Sequence, residues 1–193
     1  MNNLTFKQKI IKALKSYGYY MVLGLILLSL VMTFILIGIN SSVGDEITEP
    51  VSVQVSPFMP VLNASIYKGY YGDELVYNET LKQWETHNGI DFSTASGSKV
   101  YSILDGKVSK VYTNVLDGTV IVIKHNNGLE STYGSLDENV LVKVGDDVSR
   151  GETIGVVSNS SSSESSAGAH LHFSMTDEGK KIDPASYLNI SSK

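Results

Sequence analysis

Hydrophobic and polar positions alternate in two unlike ways along this chain of 193 residues. Tyr17 to Ile39 is an uncharged run of 23 residues, dense in Leu, Ile, Val and Met. At 1.5 Å per residue a helix of that length spans about 34 Å, enough for a hydrocarbon core of about 30 Å. A cleavable signal peptide has a shorter apolar region, of about 7–15 residues, closed by a small-x-small site. Ile37-Gly-Ile-Asn40 is a poor site of that kind, so the pattern predicts an uncleaved anchor over residues 17–39. After residue 60 the pattern becomes one of short β-prone runs. Lys99–Ile103, Lys107–Tyr112 and Thr119–His125 are punctuated by Asp105-Gly106, Asp117-Gly118 and Asn127-Gly128. Such dipeptides between β-branched runs are strong hairpin signals. Val140–Val144, Thr153–Ser158 and His170–Met175 continue the series, and Glu79–Trp84 carries a weak helical period.

The expectation is an all-β domain, an antiparallel sheet or sandwich over residues 60–193, preceded by one transmembrane helix. Residues 40–59, bounded by Pro50, Pro57 and Pro60, read as an extracytoplasmic stalk reaching at most about 70 Å. Within it Val51, Val53 and Val55 alternate with polar residues as a short strand would. Ser158–Ser166 reads as too polar to pack, a mobile loop.

Charge adds an orientation. Residues 1–16 hold Lys7, Lys9, Lys12 and Lys15 and no acid, whereas Asp45, Glu46 and Glu49 follow the apolar run. This bias places the amino terminus in the cytoplasm and the rest outside it, with Tyr17, Tyr19 and Tyr20 as an aromatic belt. From Asn40 onward acids outnumber bases 20 to 11. An acidic body without a basic cluster argues against a nucleic-acid partner. Cysteine is absent, which removes disulfides, thiolate metal sites and cysteine nucleophiles.

The chemistry concentrates in the histidines. In His170-Leu-His172-Phe, residues two apart share a strand face, so both imidazoles point one way and Leu171 and Phe173 the other. In His87-Asn-Gly-Ile-Asp91-Phe, Asn88-Gly89 marks a turn into a strand whose Ile90 and Phe92 face the core, leaving Asp91 on the histidine side. Two histidines and a carboxylate are a common ligand set for a zinc ion with one open position. His125, in Lys124-His-Asn-Asn-Gly128, reads as a turn residue.

His87-x-x-x-Asp91 with His170-x-His172, set among glycine-marked hairpins, resembles the lysostaphin-type, LytM-like zinc metallopeptidases over most of residues 85–188. The resemblance implies an antiparallel β groove, cleavage of peptide bridges in peptidoglycan, and zinc held by His87, Asp91 and His172. It implies for His170 a catalytic role in activating water. One position departs. Active members carry a second catalytic histidine in Tyr-x-His-Leu, where this chain has Tyr133-Gly134-Ser135-Leu136. The family's imidazole there stabilises an oxyanion, and losing one such donor costs about 3–4 kcal/mol, or 10²–10³ in rate.

Within the family, the basic tail, single anchor, stalk and Tyr-x-Ser-Leu are similar to the stage II sporulation protein Q group, as is Lys68-Gly-Tyr-Tyr71. That likeness implies a forespore membrane protein docking the ectodomain of a stage III sporulation protein AH-like partner, with weak or no peptidase activity. The alternatives are a working zinc endopeptidase acting on peptidoglycan, and a degenerate domain that activates a separate wall hydrolase. For Lys68–Tyr71 a partner surface and a plain aromatic-rich edge are both open readings.

Overall fold

A computed structural model of the chain describes residues 5–41 and 56–191; the expected Val51–Val55 strand and much of the stalk lie outside them. The chain divides into two units, Met1–Val53 and Gln54–Lys193.

In the first unit, helix α1 (Phe6–Ser41) contains an apolar window, Leu14–Ile35, long enough to cross a membrane and with none of its residues buried. Its few polar side chains are satisfied locally. Ser29 Oγ donates to the Ile26 carbonyl and Thr33 Oγ1 to that of Leu30, both at 2.8 Å. Such bonds lower the cost of placing hydroxyls in hydrocarbon.

The second unit is antiparallel β. Its strands are β1 (Ser65–Lys68), β2 (Tyr71–Asn78), β3 (Gln83–His87), β4 (Ile90–Ser93), β5 (Lys99–Tyr101) and β6 (Gly106–Asn114). They continue with β7 (Gly118–His125), β8 (Leu129–Leu136), β9 (Asp147–Val148), β10 (Thr153–Val156), β11 (His170–Asp177) and β12 (Lys180–Ile182). The main sheet runs β1-β4-β11-β8-β7-β6-β9, with β12 also on β11; β5 pairs β10, and β2 pairs β3. Helix α2 (Pro184–Leu188) follows, capped by the Asp183 carboxylate on the Ala185 N–H.

One face of the central strands makes the core. Ile90, Ile121, Ile123, Tyr133, Leu171 and Phe173 are fully buried there, joined by Val100 and Ile154 from the β5/β10 pair. Alternation then obliges Asp91, His170 and His172 to the opposite face.

Strand β8 escapes the hydrophobic pattern because Glu130, Ser131, Thr132, Gly134 and Ser135 surround only two large core residues, Tyr133 and Leu136. It is nonetheless a central strand, since its polar groups are satisfied from within. Ile103 N–H donates to Tyr133 Oη (3.0 Å), and Ser131 Oγ lies 3.1 Å from the same oxygen. His125 completes this network. Its Nδ1–H donates to the Asp105 carbonyl (2.9 Å) and its Nε2 pairs with Ser131 Oγ (2.7 Å). It is therefore a buried strut and not merely a turn residue.

Three further expectations are corrected. Val140–Val144 forms no strand: Val142 tucks into the core, Leu141 and Val144 are exposed, and Leu141 N–H makes a single bond to Ile154 O. The short β9 takes the place beside β6 instead. Glu79–Trp84 forms no helix: residues 79–82 are the turn between β2 and β3, held by Asn78 Oδ1 accepting from the N–H groups of Thr80 and Leu81, and Gln83 and Trp84 open β3. The Ser158–Ser166 segment does pack. Ser158 and Ser161 are buried, and the hydroxyls of Ser160, Ser161 and Ser163 donate to the carbonyls of Leu136 and Leu116 at 2.7–2.8 Å. Serines packed against free backbone carbonyls replace the hydrophobic contacts the segment lacks.

Candidate metal centre

Register brings the site together. His172 on β11 pairs with Asp91 on β4 and with Gly134 on β8, so these three stand in a row across the sheet. His87, at the end of β3, returns over them through the tight Asn88-Gly89 turn. Gly89 has a steric reason. A Cβ there would lie 2.7 Å from the Phe173 carbonyl and 2.8 Å from His172 Nε2. The His172 ring thus backs against the Gly89 backbone and presents Nδ1 to the cluster.

Asp91 Oδ1 lies 2.8 Å from His172 Nδ1 and 3.2 Å from His87 Nε2, and the two rings are 5.1 Å apart. His87 Nδ1–H donates to the Gly69 carbonyl at 2.6 Å, which fixes the tautomer and leaves Nε2 for the centre. Gly69 thereby gives part of the Lys68–Tyr71 segment a role beneath the site. His170 Nδ1–H donates to Gly168 O (2.8 Å), aiming Nε2 at the same centre. A second acid was missed from the sequence. Glu164 approaches His170 Nε2 at 3.3 Å and both His87 and His172 at 3.4 Å. Its one sequence signal is being the sole charge in Ser158–Ser166.

Ser135 is not among these groups. It is fully buried with φ 58°, and its Oγ donates to the Ser158 carbonyl at 3.4 Å. Its own carbonyl accepts from Ser158 N–H (2.9 Å) and Oγ (3.0 Å). The hydroxyl is thus turned into the serine segment.

The electrostatics follow from burying opposite charges together. Burial pulls the His87 and His172 pKa values down, but the Asp91 and Glu164 carboxylates outweigh it and hold them at about 9 and about 10. His170 is raised in the same way against its burial by Glu164 and Gly168 O. Burial favours the neutral forms of Asp91 and Glu164, yet the imidazoles keep both carboxyls below their ordinary range.

The donor set fits a divalent zinc-like ion. Ligand atoms of His87, Asp91, Glu164 and His172 all lie within 4.8 Å of one another. A tetrahedron with bonds of about 2.0–2.1 Å sets its ligands about 3.3 Å apart, close to the spacings here. Asp91 Oδ2 is buried without a hydrogen-bond partner, an orphan that a cation would satisfy. Two cavities, about 250 and about 200 Å³, flank the cluster. The first is lined by Tyr67, Lys68, Tyr77 and Thr80, the second by Tyr112, Asp117, Thr132 and Gly134, and Glu164 borders both.

Comparison with known proteins places this geometry. The chain is 31% identical over 143 residues to stage II sporulation protein Q of Bacillus subtilis, covering 68% of this chain and 50% of that one. It is 38% identical over 97 residues to the peptidoglycan DD-endopeptidase ShyB of Vibrio cholerae, covering 50% and 22%. The chain thus spans at most half the length of these relatives. Among solved structures, a SpoIIQ-SpoIIIAH pore-forming complex matches with TM-score 0.61 and 26% identity, covering 69% of this chain and 90% of that one. The catalytic domain of lysostaphin from Staphylococcus simulans matches with TM-score 0.54 and 28% identity, covering 66% and 93%. Residues 85–184, from just before His87 to the start of α2, match the model of peptidase family M23, and the chain belongs to that family.

Proposed function

We propose that the chain is a single-pass membrane protein of endospore formation whose exported M23 domain docks a partner ectodomain across an intermembrane space, hydrolysing peptidoglycan weakly or not at all. The observation that carries this is Ser135. Where an active family member would place a cationic donor, this chain has a buried hydroxyl turned away from the cluster. Homology to the sporulation protein and likeness to its complex supply the docking role, with a partner of the stage III sporulation protein AH type. The lysines in the first turns of α1, ahead of the uncharged run Tyr17–Ile39, and the acids after that run favour a cytoplasmic amino terminus and an exported domain in the forespore membrane.

The residues proposed to hold zinc are His87, Asp91 and His172. When bound, zinc would supply Lewis acidity toward a peptide carbonyl. The chain's own part is to orient and to move protons. Gly69 fixes His87, Gly89 sets the His172 ring, and His170 Nε2 stands where it can hold a proton beside the centre. Among the described residues the edge strand β1 pairs with β4 alone, and its other side offers backbone groups to which a partner strand could add.

His170 and the paired cavities favour a second reading, a working zinc endopeptidase. One experiment separates the two. The full-length chain in lipid nanodiscs is tested for binding to an AH-type ectodomain and, zinc-loaded, for release of soluble fragments from purified peptidoglycan. Binding with near-background release is expected. Vigorous release without binding at high micromolar partner would establish the endopeptidase instead.

A further inference from the structure

We propose that Glu164 is a fourth protein ligand of the metal, closing a centre that a hydrolase leaves open to solvent; this deepens the zinc-binding reading above and rests on it. Three protein donors with one open position mark catalytic zinc, and four protein donors mark structural zinc. With His87, Asp91 and His172 as three donors, the fourth position must face His170 if that imidazole is to serve whatever sits there. Glu164 Oε2 stands at that place, 3.3 Å from His170 Nε2 and 3.4 Å from His172 Nδ1, while Oε1 lies 3.4 Å from His87 Nε2.

The segment that carries the carboxylate is braced from three directions. Ser162 N–H and Ser163 N–H donate to Val115 O and Leu116 O in the β6–β7 turn. Ser160 Oγ donates to Leu136 O at the end of β8 (2.8 Å). Just before the acid, Asn78 Nδ2 at the end of β2 donates to Ser163 O (3.1 Å), and just after it Ser166 N–H donates to Thr80 Oγ1 (3.0 Å) in the β2–β3 turn. A surface glutamate swinging by would have no such frame. Glu164 also borders both flanking cavities, so it interrupts what would otherwise be one groove across the centre. In this arrangement the metal staples the serine segment and the β2–β3 turn to the sheet, and an extended peptide has no continuous path past it.

The full-length chain in detergent is stripped with chelator and reloaded with zinc or cobalt(II). Glu164→Gln, nearly isosteric, should weaken zinc by at least about tenfold in chelator competition, the loss seen when even outer-shell partners are removed. The visible spectrum of the cobalt-loaded wild type should not respond to millimolar acetohydroxamate, whereas those of Glu164→Gln and Glu164→Ala should shift as the probe enters. Circular dichroism confirms that each variant is folded, and Glu164→Gln carries the test if the alanine variant is not. Equal zinc affinity, or an equal response to hydroxamate in wild type and variants, overturns Glu164 as a ligand and leaves a three-donor centre standing. A wild type that binds no metal overturns the zinc reading itself, and this inference with it.

Discussion

The enzyme question turns on two residues that sequence reasoning and structure bring up separately, Ser135 and Glu164, and a double-mutant cycle joins them. Ser135→His is sterically admissible in one respect, because its φ of 58° lies in the left-handed region where histidine is among the better-tolerated non-glycine residues. The bond it gives up, Oγ to Ser158 O at 3.4 Å, is long and contributes little. The imidazole must still displace neighbours, since the site is fully buried. The restored oxyanion donor is worth about 3–4 kcal/mol, or 10²–10³ in rate. That gain is realised only if a peptide carbonyl reaches the centre, and Glu164 stands there. Ser135→His alone should therefore change peptidoglycan hydrolysis by no more than about threefold, whereas Ser135→His in a Glu164→Ala background should raise it by about 10²–10³ over Glu164→Ala. The coupling would be about 2–4 kcal/mol, far above the few tenths expected of independent sites. The assay is chromatographic quantitation of muropeptides released by the zinc-loaded full chain, with zinc content measured alongside. A large gain from Ser135→His alone would show that Glu164 does not block the centre. A silent double variant that holds zinc would show that the groove has lost its peptide for reasons beyond these two residues.

Further outcomes follow from the same geometry. His172→Ala should abolish stoichiometric zinc, and Gly89→Ala should weaken it by about 10–100-fold by pushing His172 from its seat, both read by metal analysis after dialysis. Unchanged zinc in His172→Ala would refute the ligand assignment. His125, its pKa held below the ordinary 6.5 by burial, binds fewer protons folded than unfolded. Its contribution to stability should therefore be lost as pH drops below about 6.5, so that the stability difference between wild type and His125→Gln should shift against the wild type between pH 7 and 5 in denaturant titrations. Matching slopes would remove His125 as the cause. Protease added to intact protoplasts should degrade the domain from residue 56 onward, and full protection would reverse the orientation inferred from Lys7, Lys9, Lys12 and Lys15.

What the sequence disclosed and what it hid have a common physical origin. Period-2 alternation with tight turns is a local property, so β6, β7 and β11 could be read, as could the shared face of His170, His172 and Asp91. Strand β8 could not, because its core position rests on a network reaching to His125, Asp105 and Ile103, up to 30 residues away along the chain. The Ser158–Ser166 segment misled for the same reason. A serine-rich run lacks apolar surface, and nothing within it reveals that Leu116 and Leu136 leave carbonyls free to receive its hydroxyls. Glu164 is the sharpest instance, since a lone acid among serines looks solvated until the fold carries it to three imidazoles.

This bears on how a hydrolase scaffold turns into a docking domain. Losing the donor at position 135 lowers the rate but leaves a reactive centre open to solvent and to peptides. Delivering a carboxylate to the fourth position does more. It converts a metal that would polarise substrate into one that ties two surface segments to the sheet, and those segments, the serine run and the β2–β3 turn, stand on the exposed side of the domain. On this view the zinc ligands are kept because they shape a surface. Chelation should then lower affinity for the docking partner even where the sheet stays folded, and partner affinity should depend on zinc in the wild type and much less in Glu164→Gln. Binding of equal strength with and without chelator would separate docking from the metal and return the centre to a relic of catalysis.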